Sequence, residues 1–193
     1  MFILVFGNGN AGAEAANTIF KITSSKNNIV KYYYEYPPHH GWHFTKELET
    51  TKYIDSKNSK TELIKLMEKA DLLFSCGWVH KISANITNQK KCYNLHPSLL
   101  PLYRGKNTIE RQISNKENLY GITLHMMDER YDTGPIFEQI SFFKTNDYSP
   151  QELVIQNIKY MKILLADFFN NYPKIKCIPQ NDPQVKEKTL IHL

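Results

Sequence analysis

At 193 residues the chain is long enough for one domain with a sizeable core, and 41% hydrophobic with 22% charged residues is ordinary for a globular protein. No apolar run is long enough to cross a bilayer, and three scattered cysteines without a CxxC pair argue against a disulfide framework and a zinc site. The net charge of +5 suits an anionic small molecule, while lysines spread along the chain rather than blocked speak against nucleic acid.

Residues 2–6 form an unbroken apolar run, the pattern of a central parallel strand covered on both faces. The run lacks the basic flank and small-residue cleavage site of a signal peptide, so a cytoplasmic protein with no membrane association is expected. Gly7-Asn8-Gly9-Asn10-Ala11-Gly12 follows, then an alanine-rich helix over 11–21 and a strand over 29–34, a βαβ opening. Gly7, Gly9 and Gly12 satisfy GxGxxG, and Glu35 ends the second strand. On spacing alone three readings stay open: a dinucleotide site, a phosphate of any kind at the helix N-terminus, or a tight turn with no ligand.

Residues 36–53 break this pattern, and Pro37-Pro38-His39-His40-Gly41-Trp42-His43 reads as a loop. Its histidines come without a carboxylate or cysteine at ligand spacing, so no metal is expected. Its aromatic side chains have the chemistry to stack on a base, or to do nothing at an exposed surface. Leu63, Ile64, Leu66 and Met67 fall at helical spacing over 59–69, with Ser59 or Thr61 as cap. A strand over 71–76 and a turn over 77–82 follow; Cys76 and Cys92 lie in apolar strands and read as buried thiols.

The most informative stretch is CYNLHPSLLPLYR, residues 92–104. A strand ends in Asn94-Leu95-His96 and Pro97 stops it, so Asn94 and His96 share one face at the carboxyl end, where open α/β sheets bind ligands. Downstream comes Asp128-Glu129-Arg130-Tyr131-Asp132-Thr133-Gly134-Pro135. If the two stretches meet, an Asn, a His and an Asp converge; taken singly, each is as well explained as a turn residue. A helix over 107–114 and strands over 121–127 (carrying His125) and 135–143 lie around them. A long amphipathic helix over 150–170 uses Leu153, Ile158, Met161, Ile163, Leu164, Leu165 and Phe168 as its apolar positions. The tail from 171 is polar and proline-punctuated, with a candidate strand at 174–178.

Asn94-Leu95-His96-Pro97-Ser98-Leu99-Leu100-Pro101 with Tyr103-Arg104-Gly105 resembles the formyltransferase family that uses 10-formyltetrahydrofolate. So does Gly121-Ile122-Thr123-Leu124-His125 leading to Asp128-Glu129 and Asp132-Thr133-Gly134-Pro135. The resemblance covers residues 1–165 and implies an α/β fold: a Rossmann-like formyltransferase domain over 1–170, without NAD, and a short extension over 171–193. Its central sheet would be mostly parallel, with helices on both faces. It implies Asn94, His96 and Asp132 as catalytic residues. It implies contacts to 10-formyltetrahydrofolate from Val79, His80 and Ile82 and from His125, Met127, Asp128, Glu129 and Arg130. Gly9, Asn10, Tyr103, Arg104 and Lys106 would meet the amine substrate, and no metal is needed.

The residue types suit the reaction. As an amine attacks a formyl carbon, an oxyanion develops to which Asn94 and a protonated His96 can donate, while Asp132 orients His96, raises its pKa and aids loss of the amine proton. Arg130 and Tyr131 stand where the family commonly carries small or apolar residues, which predicts an altered loop.

For the acceptor, methionyl-tRNA formyltransferases share the Arg104-Gly105 pair but carry a further C-terminal barrel for tRNA, so tRNA is not expected here. Glycinamide ribonucleotide formyltransferases have a related Gly-Asn-Gly turn, but Tyr103-Arg104-Gly105-Lys106 is not their usual loop. Sugar-nucleotide N-formyltransferases share the Tyr-Arg-Gly form, so the expected partner is an amino-deoxy sugar on a nucleoside diphosphate. Glycinamide ribonucleotide is the runner-up. Tyr34, Tyr36, Trp42 and Tyr103 are candidates to stack on a nucleobase. The tail is compatible with a homodimer. Two readings from other classes remain, an NAD(P)-binding oxidoreductase and a catalytically dead folate or nucleotide binder; the intact trio counts against the latter.

Overall fold

The computed structural model describes residues 1–34, 51–53, 60–89, 91–145, 147–182 and 189–192, with backbone only for 51–53, 60 and 189–192. It divides into two compact units, Met1–Tyr93 and Asn94–Leu193.

In the first unit, β1 (Phe2–Gly7), β2 (Ile29–Tyr34), β3 (Thr51–Tyr53) and β4 (Leu72–Cys76) run parallel in the order β3-β2-β1-β4. Ile3 faces Val30 on one side and Leu72 on the other. Ile3, Leu4, Val5 and Phe6 are fully buried, as an apolar run without alternation requires. Asp71 fastens the start of this strand, accepting from Phe2 N at 2.7 Å and donating its own N–H to Phe2 O at 2.8 Å.

Helix α1 (Gly9–Thr23) starts two residues earlier than the alanine pattern suggests, because Gly12 N already donates to Asn8 O at 3.2 Å. Its buried Ala13, Ala15 and Ala16 let it lie close against β1 and β2. The glycines owe their places to this closeness. A Cβ on Gly7 would stand 2.6 Å from Cys76 O and from Gly12 Cα, and one on Gly12 would stand 2.6 Å from Gly7 C. Gly9 is different: nothing crowds it, but its φ of +60° is costly for a side-chain-bearing residue.

Helix α2 (Lys60–Lys69) buries Leu63 and Met67. The reading of 77–82 as a turn missed the short helix after it, α3 (Ala84–Gln89), which starts where Ser83 O takes the amides of Ile86 and Thr87. Strand β5 (Lys91–His96) begins in this unit, with Tyr93 stacked on Phe74 at 5.6 Å, and its last residues, Asn94 to His96, belong to the second. Cys76 and Cys92 are buried thiols, and burial pushes that of Cys76 up to about 12.

In the second unit the end of β5 lies beside β6 (Leu119–Met126), which pairs antiparallel with β7 (Ile136–Phe143). The register slips between Leu124, opposite Glu138, and His125, opposite Ile136. Such a bulge re-aims the side chain it carries. A Cβ on Gly121 would strike Leu99 and Ile140 O. Strand β8 (Thr189–His192) adds parallel to β7, one of the two roles open to the tail, a strand added to the sheet or a dimerisation segment. The candidate strand at 174–178 reduces to one antiparallel bridge, Ile178 to Ile136.

Helix α4 (Thr108–Ser114) follows the β5 loop. Helix α5 (Pro150–Asn171) opens with a capping box: Ser149 N donates to Glu152 Oε2 at 2.8 Å, and Glu152 N to Ser149 Oγ at 3.3 Å. It packs on β6 and β7 through Leu153, Met161, Leu164, Leu165 and Phe168, each contributing about 1.5–3 kcal/mol when fully buried. Ile163, assigned to that apolar face, is 40% exposed. Among the described residues no helix is long and apolar enough to cross a membrane.

Candidate active site

Pro97 ends β5, and the chain turns back through residues 98–103. A buried polar network fixes that turn. Thr123 Oγ1 donates to Ser98 O at 2.6 Å, and Gln139 Nε2 donates to Thr123 Oγ1 at 2.7 Å and to Leu100 O at 2.9 Å. The turn delivers the carbonyl of Tyr103, a residue at φ +59°, to 3.0 Å from His96 Nε2. A carbonyl only accepts, so Nε2 carries a proton and Nδ1 of a neutral ring is bare. Nδ1 faces Asp132 Oδ2 at 3.5 Å.

The Asp132 loop is shaped from within. Asp128 accepts from Arg130 N at 3.0 Å and from Thr133 Oγ1 at 2.7 Å, and Pro135 O receives Met126 N at 2.8 Å. Gly134 passes so close that a Cβ there would lie 2.0 Å from Met126 O. Asp132 itself sits at φ +55°, which its short polar side chain tolerates better than most. Its Oδ1 accepts from Asn94 Nδ2 at 3.0 Å, and its Oδ2 from Gly105 N at 2.9 Å. Asn94, His96 and Asp132 therefore do meet.

His125 is the fourth member. It was assigned to cofactor contact, but it is 1% exposed. Its Nδ1 lies 2.7 Å from Met126 O and so holds a proton, leaving Nε2 to accept from Asn94 Nδ2 at 3.2 Å, with Asp132 Oδ1 3.5 Å away. Asn94 thus spends both amide hydrogens on neighbours, and its orientation is fixed because a carboxylate cannot donate.

Asp132 does favour charge on His96, but the expectation of a protonated His96 is corrected. Burial, which disfavours the imidazolium, outweighs the field of Asp132 and the Tyr103 carbonyl; His125 and Arg111 oppose the charge further, and the net shift is downward. The ring is neutral at neutral pH. For Asp132, burial works against ionisation, but His125, the field of His96 and the Gly105 amide prevail and hold the carboxyl at about 2.

Both shifts act on stability in one direction. Each folded-state value lies below the ordinary one, so each contribution is whole above the ordinary value and is lost as pH falls through the folded one. For His96 the loss begins near 6.5; for Asp132 it begins near 3.8 and runs to about 2. With allowance for solvent, the Asp132 part is on the order of 1–2 kcal/mol. Melting temperatures followed from pH 8 to pH 3 should fall in two stages. His96→Gln should remove much of the upper stage, and an unchanged upper stage in that variant would refute the assignment.

Around this centre, Tyr103 donates its hydroxyl to Glu117, receives Asn115 Nδ2 at 2.8 Å and lies under the Arg111 guanidinium at 5.3 Å. Arg104 and Lys106 are exposed, as are Glu129 and Arg130, while Met127 is half-buried. Arg104 Nε reaches Gln180 Oε1 at 3.0 Å. The remaining assigned residues belong to the first unit. Gly9 and Asn10 form the first turn of α1, Val79 and His80 are exposed with His80 edge-on to Trp78, and Ile82 is buried. Glu35, Tyr36, Trp42 and the three loop histidines lie outside the described residues. Gln180 was not anticipated; a single glutamine in a polar tail carries no motif.

The family pattern described as "Formyl transferase" matches residues 8–156. Methionyl-tRNA formyltransferase from Helicobacter pylori (strain J99) is 29% identical over 128 residues, which is 66% of this chain and 42% of that protein. The chain thus spans less than half the length of the curated relatives it matches. Among solved structures, phosphoribosylglycinamide formyltransferase from Bacillus halodurans superposes with a TM-score of 0.75 at 21% identity, over 90% of this chain and 96% of that one. An N-formyltransferase from Helicobacter canadensis, solved with folinic acid and dTDP-3-aminofucose, superposes with a TM-score of 0.69 at 19% identity, over 95% of this chain and 68% of that one.

Proposed function

Because the chain belongs to the formyl transferase family, we propose that it is an N-formyltransferase that works with 10-formyltetrahydrofolate and reacts it at Asn94, His96 and Asp132. The observation that carries this reading is one contact set: Asn94 Nδ2 is 3.0 Å from Asp132 Oδ1, and His96 Nδ1 is 3.5 Å from Oδ2 of the same carboxylate. An amide donor, a carboxylate and an imidazole are what a formamide under attack by an amine requires. When bound, 10-formyltetrahydrofolate supplies the formyl carbon.

The chain's own residues move charge and protons. Asn94 can turn an N–H from a neighbour to the formyl oxygen, where negative charge grows. One proton must leave the attacking amine and one must reach the departing nitrogen. Asp132, ionised at neutral pH, accepts the first, directly or through water. His96 offers a bare Nδ1 beside it, with Nε2 tied to Tyr103 O. A neutral ring suits this role, since an imidazole already charged cannot take up a proton.

We assign the acceptor to amino-deoxy sugars carried on a nucleoside diphosphate. The Tyr103-Arg104-Gly105 sequence, exposed Arg104 and Lys106, and the dTDP-3-aminofucose bound by the Helicobacter canadensis protein support it. Two other acceptors have an observation each: methionyl-tRNA from the curated relatives, and glycinamide ribonucleotide from the Bacillus halodurans structure. Tetrahydrofolate release, followed spectroscopically against nucleotide-linked 3- and 4-amino sugars, glycinamide ribonucleotide and methionyl-tRNA, decides among them. No release with any amine refutes the reaction itself.

Asn10, in the first turn of α1, is proposed to meet the substrate phosphate, since helix N-termini present free N–H groups to anions. Asn10→Ala should raise KM for the phosphorylated amine about tenfold, the scale of one charge-assisted hydrogen bond, with kcat nearly constant. A change confined to the KM of the folate would remove Asn10 from that role.

A further inference from the structure

We propose that Gln180 is a positioning residue: its side-chain amide locks the backbone of the Asp132 turn and so sets where the catalytic carboxylate stands. The kinetic part of the test rests on the formyl-transfer reading; the geometry does not.

The tail reaches the site by a short, specific route. Ile178 bridges Ile136 antiparallel, with N–H to O distances of 2.8 Å from Ile178 and 2.7 Å from Ile136, and its side chain packs against Leu100 and Ile136. Two residues on, Gln180 is 8% exposed. Its Nε2 donates to Asp132 O at 2.8 Å and to Gly134 O at 2.9 Å. Its Oε1 accepts from Arg104 Nε at 3.0 Å and from Arg104 Nη2. The two carbonyls only accept and the guanidinium only donates, so the amide has one satisfactory orientation and uses both hydrogens and its oxygen.

The turn that Gln180 holds is one that needs holding. Asp132 is left-handed, and two residues later Gly134 is pressed against Met126 O. A non-glycine residue persists at positive φ when its surroundings over-determine it. Gln180 bonds the carbonyls on both sides of Thr133. The Asp132 carboxylate then stands within reach of Asn94, Gly105 N and His96. A displacement of about 1 Å in such a group costs up to about a hundredfold in rate.

Two variants separate the contacts. Gln180→Glu keeps an oxygen for Arg104 but offers no N–H to the two carbonyls; Gln180→Leu offers neither. Both should lower kcat at least about tenfold with KM for the amine little changed. In Gln180→Leu, which adds no charge, the His96 imidazole, titrated through its NMR resonance in the free protein, should shift further down, because the carboxylate that supports its charge has moved. The titratable and charged groups facing that ring are Asp132, His125 and Arg111, and neither of the last two is touched by Gln180. The titration needs no turnover. A wild-type protein inactive with every amine would therefore overturn formyl transfer and still leave the titration to decide for or against Gln180. An unmoved titration overturns the proposal, whatever happens to the melting temperature. So does Gln180→Glu at wild-type kcat, which would assign the effect to Arg104 alone.

Discussion

Asp132→Asn should lower kcat at least about a hundredfold with the fold intact, on the scale of losing a general acid–base group. Asn is close in volume and also tolerates the left-handed backbone seen at φ +55°, so the turn can stay. The chemistry cannot. The carboxylate accepts from Asn94 Nδ2, from Gly105 N and, when the ring is charged, from His96 Nδ1. An amide has one accepting atom, so its NH2 must confront either the Asn94 donor or the Gly105 N–H. The group also loses its charge, and with it the one side chain among the described residues that favours a proton on His96. Turnover should fall for every amine alike, while circular dichroism at neutral pH stays native. Wild-type turnover in a folded variant would remove Asp132 from the reacting centre.

His96→Gln should lose a similar factor, at least about a hundredfold in kcat, for a different reason. A glutamine has an N–H to offer Tyr103 O in place of Nε2, so this contact is replaceable. It has no atom that takes up and releases a proton near neutral pH. His96→Ala removes both features and leaves a space beside Tyr103 O, although Thr108 Oγ1 still donates to that carbonyl at 3.2 Å. The alanine variant should therefore be less stable than the glutamine one by about 1–3 kcal/mol in chemical denaturation, while the two share the same kinetic defect. If Gln restored turnover, His96 would be a hydrogen-bonding residue and no proton carrier.

The sequence made the reacting centre legible because strand periodicity is strict. Asn94 and His96 had to share a face once residues 92–96 formed a strand, and Pro97 had to end it. The apolar run at 2–6 announced its burial in the same way. The GxGxxG spacing said less than it promised, since Gly7 and Gly12 answer to close packing and Gly9 to its backbone angle. Two things were beyond periodicity. The direction of the His96 shift is a contest between burial and a neighbouring charge, and only coordinates weigh the two. The places of His125 and Gln180 depend on a register slip and on a bridge closed by the tail. The register slip leaves no trace in residue spacing, and of the bridge only the candidate strand at 174–178 could be read.

The bridge between Ile178 and Ile136 makes the competence of the site a matter of population. Two backbone hydrogen bonds contribute on the order of 1–3 kcal/mol in net terms, less than a whole domain's stability. Where the stretch around Ile178 opens locally, the Gln180 contacts to the Asp132 turn go with it while β6 and β7 stay paired. Warm or mildly denaturing conditions would leave a chain that is folded by every global measure yet partly without its Asp132 support. Its specific activity would track the fraction docked, as an apparent affinity tracks the fraction of competent molecules.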